Sequence, residues 1–360
     1  MVRDYAVAPG EYLEEWLEEN PEITQKQLAD DLGISRKQVN AILRGRAPIS
    51  AQVAMRLEKV TPISSRAWLV YQAQFDSDTA RLEEEHELAT HADEISPQVA
   101  KYLREIGATE ATKRNPGRLY ADLLAHVGCG SYEVFRHRCD EVFDGTGAVA
   151  ALKESGRDVD PMALLAWVAQ AEKSDAFKTL SRTCYSKQGL LDVIPHIRNR
   201  VAYPDATMLA EIQEMLADKG VVLVDCKAPE KFPLHGVTYW KDDTPIVLFT
   251  ERRRTDGYIV WAIFHELGHV VCDERSGGEY GLVKPKAQIA REEKAANEFA
   301  RETLFGSEGL RPFKGLTRSV DIKCVAQSIG VSPGVAVAAM HKKRMLDYSY
   351  GNDLMVDLVG

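Results

Sequence analysis

The chain has 360 residues, 45 Lys and Arg against 54 Asp and Glu, a formal net charge of −9 and 45% hydrophobic residues. That length holds two or three domains with a sizeable core, and the acidic balance excludes a protein coated in nucleic acid over its whole surface. No apolar run is long enough to span a bilayer, and M-V-R-D-Y-A-V-A-P-G-E lacks the layout of a secretory signal, so a cytoplasmic protein with no membrane partner is expected. The cysteines (Cys129, Cys139, Cys184, Cys226, Cys272 and Cys324) are scattered with no C-x-x-C pair, which suits a reducing compartment and argues against a disulfide scaffold or a zinc ribbon.

Charge is unevenly spread along the chain. From Thr24 to Arg66 eight Lys or Arg stand against three acids, whereas Arg3 to Glu22 carries seven acids and a single Arg. In Pro9 to Asn20, Leu13, Trp16 and Leu17 recur at helical spacing beneath an acidic outer face. Thr24 is a good N-cap for a helix with Leu28, Ala29 and Leu32 inward. Gly33 makes a tight turn, and Ser35 caps a second helix carrying Val39, Ile42 and Leu43. Two short helices joined by a Gly turn form a helix-turn-helix unit. Its second helix displays Arg36, Lys37, Gln38, Asn40 and Arg44, side chains able to read base edges or hold phosphates. Gln25 opens the preceding helix and Arg46 lies just beyond, so Gln25, Ser35, Arg36, Lys37, Gln38, Asn40, Arg44 and Arg46 are the candidate DNA contacts. Ser50 to Val60 supplies a further helix to close this core.

Residues 9 to 75, from P-G-E-Y-L through Q-L-A-D-D-L-G-I-S-R-K-Q-V-N-A-I-L-R-G-R-A-P-I-S and A-M-R-L to W-L-V-Y-Q-A-Q-F-D, resemble the HigA-type antitoxin branch of the XRE helix-turn-helix regulators. The resemblance implies a homodimer that binds a palindromic double-stranded operator and represses its own operon, with a cognate toxin as a further partner. Dimerisation also has independent physical sense, since one recognition helix covers only a half-site.

The domain boundaries follow composition. Residues 1–76 form the helix-turn-helix domain, and 77–97, charged and helical before loosening at Ser96 and Pro97, read as a connecting helix and linker. Residues 98–200 read as a helical middle region broken at Asn115 to Gly117, Asp144 to Gly147 and Asp160 to Pro161. His86, His91, His126, His137 and His196 lack metal spacing. From 201 to 360 the pattern changes. Met208 to Leu216 is helical, Gly220 ends it, V-V-L-V-D-C reads as a buried strand, and H-G-V-T-Y-W, K-D-D-T and P-I-V-L-F-T read as a hairpin. The fold class expected for the whole chain is mainly α with a small β-sheet (α+β).

The hairpin leads into W-A-I-F-H-E-L-G-H-V-V-C. On a helix H-E-x-x-H sets His265 and His269 one turn apart on one face, where two imidazoles can grip one Zn²⁺. Glu266 lies between them, positioned as the general base of a metallopeptidase. Gly268 would let another backbone come close, and Cys272 reads as an ordinary buried thiol. A catalytic zinc needs a third protein ligand. E-E-K-A-A-N-E-F-A offers Glu293, with Asn297 four residues on as a second polar group supporting the ligand, and Glu292 as the alternative.

Segments A-L-L-A-W-V-A-Q-A-E, G-V-V-L-V-D, G-V-T-Y-W, P-I-V-L-F-T-E-R, H-E-L-G-H, E-K-A-A-N-E-F-A and V-A-Q-S-I-G-V-S-P-G-V-A-V resemble the ImmA/IrrE family of zinc metallopeptidases over most of residues 160 to 345. The resemblance implies a zincin-like, gluzincin-type domain with His265, His269 and Glu293 as zinc ligands and Glu266 as base. The chain departs from the family pattern at Ala295 and at T-L-F-G, Thr303 to Gly306. The expected function is a DNA-binding, antitoxin-like repressor with a zinc-dependent endopeptidase domain that cleaves a regulatory protein, itself or a partner. The alternative is a repressor whose zinc domain senses a ligand or docks a toxin without turnover. Tyr258, Tyr280, His235 and His341 are the donors open to an oxyanion. Lys342, Lys343 and Arg344 read as a short surface charge run.

Overall fold

The structure, a computed structural model, describes residues 4–145, 159–180, 183–250, 255–272 and 286–358. Helices dominate, with one small sheet. Two compact units share the chain: Met1–Glu94 with Ala111–Ala121, and Ile95–Glu110 with Asp122–Gly360.

The first unit is built from α1 (Pro9–Glu19), α2 (Gln25–Leu32), α3 (Arg36–Leu43), α4 (Ala51–Val60) and α5 (Ser65–Ala89). Thr24, Ser35, Ser50 and Ser64 each accept a backbone N–H in the first turn that follows them, so four of these helices start where a hydroxyl satisfies an orphan donor. Gly33 ends α2 in the left-handed region at φ 60°, and the Arg56 guanidinium donates to the Leu32 and Gly33 carbonyls that the turn leaves open. Leu13, Leu28, Leu32, Val39, Ile42, Leu57 and Trp68 fill the core. At Gly10 a Cβ would lie 2.0 Å from the Ile42 carbonyl oxygen, so α1 crosses α3 at backbone contact.

The boundary expected at residue 76 falls inside α5, which runs unbroken to Ala89. No Gly or Pro interrupts Ser65–Ala89, and same-face pairs such as Arg81 Nη1 to Glu85 Oε1 at 2.9 Å carry the helix onward. Gln72 ties the helix to the core, accepting from the Ile49 N–H at 2.8 Å and donating to Asp76 at 2.7 Å.

The second unit contains α6 (Pro97–Glu105), α8 (Tyr132–Gly145), α9 (Pro161–Lys173), α10 (Asp175–Leu180), α11 (Lys187–Arg200), α12 (Met208–Ala217), β1 (Val222–Cys226), β2 (Gly236–Lys241), β3 (Thr244–Thr250), α13 (Asp256–Cys272), α14 (Lys286–Phe305), α15 (Ser319–Ser328) and α16 (Pro333–Lys342). The division between units passes through α7 (Pro116–Val127). Among the described residues, those between 98 and 200 divide between the two units, Ala111–Ala121 going with the first and the others with the second. Trp167 of α9 donates to the Cys226 carbonyl at 3.0 Å, Tyr102 of α6 to the Lys227 carbonyl at 3.0 Å, and Leu190, Ile194 and Ile197 of α11 join the core around α13. The breakers at Asn115 to Gly117 and Asp160 to Pro161 start helices, Asp160 capping α9.

The sheet has strand order β1-β3-β2, with β1 parallel and β2 antiparallel to β3. β3 is central, and its Pro245–Phe249 run is buried throughout. The expected hairpin forms, turning at Asp242 with φ 53°. α13 is the central helix of this unit. A Cβ at Gly268 would sit 2.8 Å from Cα of Ala296, which brings α14 against the histidine-bearing face, and a Cβ at Gly257 would sit 2.5 Å from the Gly334 carbonyl of α16. At the start of α13 the buried Asp256 accepts from Ser332 and from the Val356 N–H. Val335, Ala336, Val337, Ala339 and Met340 make α16 part of this core. Among the described residues no single helix is long and apolar enough to cross a membrane.

Candidate functional site

Two sets of side chains stand apart from the packing. On α3, Arg36, Lys37 and Gln38 are exposed and Asn40 is half-buried, with Arg44 and Arg46 exposed just beyond and Gln25 half-buried at the start of α2. Val39, Ile42 and Leu43 on the opposite side are buried, so the polar face is fixed outward by the core. Among the described residues no carboxylate pairs with Arg36, Lys37, Arg44 or Arg46, although ion pairs are common elsewhere in the chain. Ser35 does a different job from its neighbours: its hydroxyl accepts from the Gln38 N–H at 3.2 Å. It fixes the start of the helix and is itself exposed.

In the second unit, α13 and α14 bring His265, His269 and Glu293 to one point. The Nε2 atoms of the histidines are 3.3 Å apart; Nε2 of His269 is 3.1 Å from Oε1 of Glu293, and Nε2 of His265 is 3.5 Å from Oε2. Ligands held tetrahedrally at about 2.0–2.2 Å from a zinc ion stand about 3.3–3.6 Å from one another, so the observed separations match the donor set of one small cation. Oε1 of Glu293 is buried and makes no hydrogen bond despite its closeness to His269, so these atoms aim at a shared point rather than at each other. Two imidazoles and a carboxylate are also the donor chemistry zinc takes.

Electrostatics at the cluster ask for a positive charge. Burial pushes the Glu293 carboxyl up, but the facing His265 and His269 outweigh it and hold the group far below the usual carboxylate range. Burial pushes the His269 imidazole down, yet Glu293 beside it and the nearby charge of Glu266 leave it above the ordinary histidine range. A proton held here occupies the electrostatic place of a cation.

The Glu266 carboxylate is held by β2. Its Oε2 accepts from the Thr238 hydroxyl at 2.7 Å, and a Cβ at Gly236 would lie 2.9 Å from its Oε1. The residue is 5% exposed, which makes it a carboxylate held beneath the strand.

A helix-turn-helix family model matches residues 13–68, the span from α1 into the start of α5. The N-terminal region is a helix-turn-helix domain. Among solved structures the chain is similar to an addiction module antidote protein of a HigA family from Coxiella burnetii, at 32% identity over 26% of this chain and 97% of that one, with a TM-score of 0.22. No curated protein matches the chain.

The eight candidate contacts thus lie on or beside α2 and α3 of the helix-turn-helix domain. In the second unit His265, His269 and Glu293 come together, Glu266 lies next to them in the chain, and Glu292 is not part of the donor cluster. Asn297 differs from expectation: its amide donates to the Glu293 backbone carbonyl at 2.7 Å instead of supporting the carboxylate, because an i,i+4 side chain reaches its own helix backbone first. Of the oxyanion donors, His341 is buried with Nε2 on the Tyr350 carbonyl at 2.9 Å and His235 is exposed ahead of β2. Tyr258 is half-buried on α13, and Tyr280 lies outside the described residues. Cys272, expected to be buried, is half-buried at the end of α13, and the burial it has pushes its thiol up. Sequence reasoning missed Thr238 and Gly236. Their signal was a glycine inside a strand, which marks a close approach, with a hydroxyl two residues on facing the same side.

Proposed function

We propose that this protein is an antitoxin-like DNA-binding repressor whose second unit is a zinc-dependent endopeptidase. The observation that carries the first half is the outward, unpaired Arg36, Lys37, Arg44 and Arg46 on a helix-turn-helix domain. α3 enters the major groove in this reading, with Arg36, Gln38 and Asn40 toward base edges and Lys37, Arg44, Arg46, Gln25 and Ser35 toward phosphates. A palindromic operator bound by a homodimer follows from half-site geometry, and a neighbouring toxin is the further partner of the antitoxin-like reading.

The convergence of His265, His269 and Glu293 supports the second half. A zinc ion held by these residues would supply Lewis acidity for attack on a peptide carbonyl. Glu266 takes the proton of the attacking water, and the Thr238 hydroxyl fixes which carboxylate oxygen is free to do so. The substrate is a regulatory protein, this chain or its partner. Incubating the protein with itself and with its neighbouring gene product, with and without chelator, tests this: chelator-sensitive fragments are expected from wild type and none from Glu266→Gln, which keeps its metal. Cleavage by Glu266→Gln at the wild-type rate would exclude Glu266 as the base.

One observation favours a second reading, binding without turnover. Glu266 is nearly buried beneath Gly236 and Thr238, so the base is covered until β2 moves. In that case the metal unit senses a ligand or docks a toxin, and tight operator binding is found with no fragment from any incubation.

A further inference from the structure

The Lys342 ammonium, in the last turn of α16, lies 4.7 Å above the Trp261 ring and 3.4 Å from Oδ1 of Asn297. Those two anchors are not arbitrary. Trp261 precedes His265 by four residues on α13, and Asn297 follows Glu293 by four on α14, so each shares a helix face with a member of the donor cluster. The ammonium is therefore stationed about one helical turn from the cluster, on the side where the two helices present it.

Its partners are weak for a lysine in this setting. An aromatic face and one long amide contact leave the charge largely uncompensated, and no carboxylate pairs with it among the described residues. The residue as a whole is exposed, but its ammonium is set back against protein. Surrounding protein and the neighbouring Lys343 push it below the usual lysine range, and Glu293 pulls it back up. Trp261 also carries a buried Nε1–H with no acceptor, a second unsatisfied donor on the ring beneath the ammonium.

The geometry points to Lys342 as the anion-binding residue of the donor cluster: its ammonium meets the negative oxygen that forms on a substrate carbonyl attacked there. This inference rests on the proposed metal-dependent peptidase reading. As the water oxygen bonds to the carbonyl carbon, the water proton passes to Glu266 and the carbonyl π pair moves onto the carbonyl oxygen. That oxygen gains a full negative charge, and a nearby cation stabilises it more than the neutral ground state. The role of oxyanion donor falls on the residue after His341, whose Nε2 is held on the Tyr350 carbonyl.

The test is an anion titration of the full chain loaded with Co²⁺, with inorganic phosphate as probe and cobalt visible absorption as readout. Lys342→Met is expected to take up cobalt as wild type does and to bind phosphate about tenfold more weakly. Lys342→Arg is expected to restore most of the affinity, and Lys343→Met, the neighbour on the same surface, to leave it unchanged. Equal phosphate affinity in wild type and Lys342→Met overturns the inference while the metal centre stands. An equal drop in Lys343→Met overturns it as well, because the effect would then be one of general charge. Failure of the wild type to bind cobalt overturns the metal reading and this inference together. Where a cleaved substrate is in hand, Lys342→Met is expected to lower kcat about a hundredfold with little change in KM.

Discussion

The helix-turn-helix domain and the His265–His269–Glu293 centre concentrate polar groups in opposite ways. On α3 the charges face outward and have no carboxylate partner among the described residues, held there by a core on the far side of the same short helix. At the centre the donors are brought inward from two helices, and a glycine at 268 lets those helices approach. A surface meant for a charged polymer needs only orientation and exposure, whereas a small-cation site needs convergence to within a few tenths of an ångström. One is written along the chain, and the other is made by packing.

Removing a donor should have the largest effect. His265→Ala or His269→Ala is expected to reduce bound zinc from about one per chain to background, measured by elemental analysis, because two protein ligands do not hold a catalytic zinc. Operator binding by the same variants, followed by gel shift, should be unchanged; a parallel loss would mean that the two regions are not independent.

Next come two glycines that serve the same purpose in different units. Gly10→Ala forces a Cβ against the Ile42 carbonyl, and Gly268→Ala forces one against Ala296. Each is expected to destabilise its own unit by about 1–3 kcal/mol. Gly10→Ala should weaken operator binding and spare zinc, and Gly268→Ala the reverse. Thermal melts with both readouts check this, and a crossed result would break the comparison.

Arg36→Ala should cost about 1–3 kcal/mol of operator affinity at a matched site, read by titration at several salt concentrations. Lys37→Ala is expected to cost less, and to lower the salt slope by about one unit without changing sequence preference. Equal operator affinity in wild type and the Arg36 variant would remove α3 from the groove.

The smallest effect concerns Asp256, whose carboxyl burial raises above the usual aspartate range despite its bonds to Ser332 and the Val356 N–H. A carboxyl with a raised folded pKa favours the folded state most when protonated. Its contribution is fully present below the unfolded pKa and is lost as pH rises through the folded one. Asp256→Asn should therefore flatten the fall in stability of the second unit over that acid range, seen as a smaller change of Tm with pH. The same slope in variant and wild type would place the titration elsewhere.

Much of this molecule was legible beforehand because it is local. Thr24, Gly33, Ser35 and the spacing of Leu28, Leu32, Val39 and Ile42 state a helix-turn-helix within a few turns of chain, and each takes the expected place. The hairpin and the helix carrying H-E-x-x-H were equally readable from periodicity. Composition misled at residue 76, where a change in polarity reads like a boundary although nothing stops the helix. Over 98–200 the helices carry no motif of their own, and Trp167 and Ile197 among them pack into the second unit.

By itself the sequence determined which side chains share a helix face, since 3.6 residues per turn decides that for His265 with His269 and for Glu293 with Asn297. Only the tertiary structure decided which faces meet. It turned Glu293 and not Glu292 into the cluster, laid Gly236 and Thr238 over Glu266, and set the Lys342 ammonium of the exposed charge run beside Trp261 and Asn297. The reason is physical: helical and strand periodicity are properties of neighbouring residues, whereas convergence of groups dozens of positions apart depends on how closely helix and strand backbones can approach.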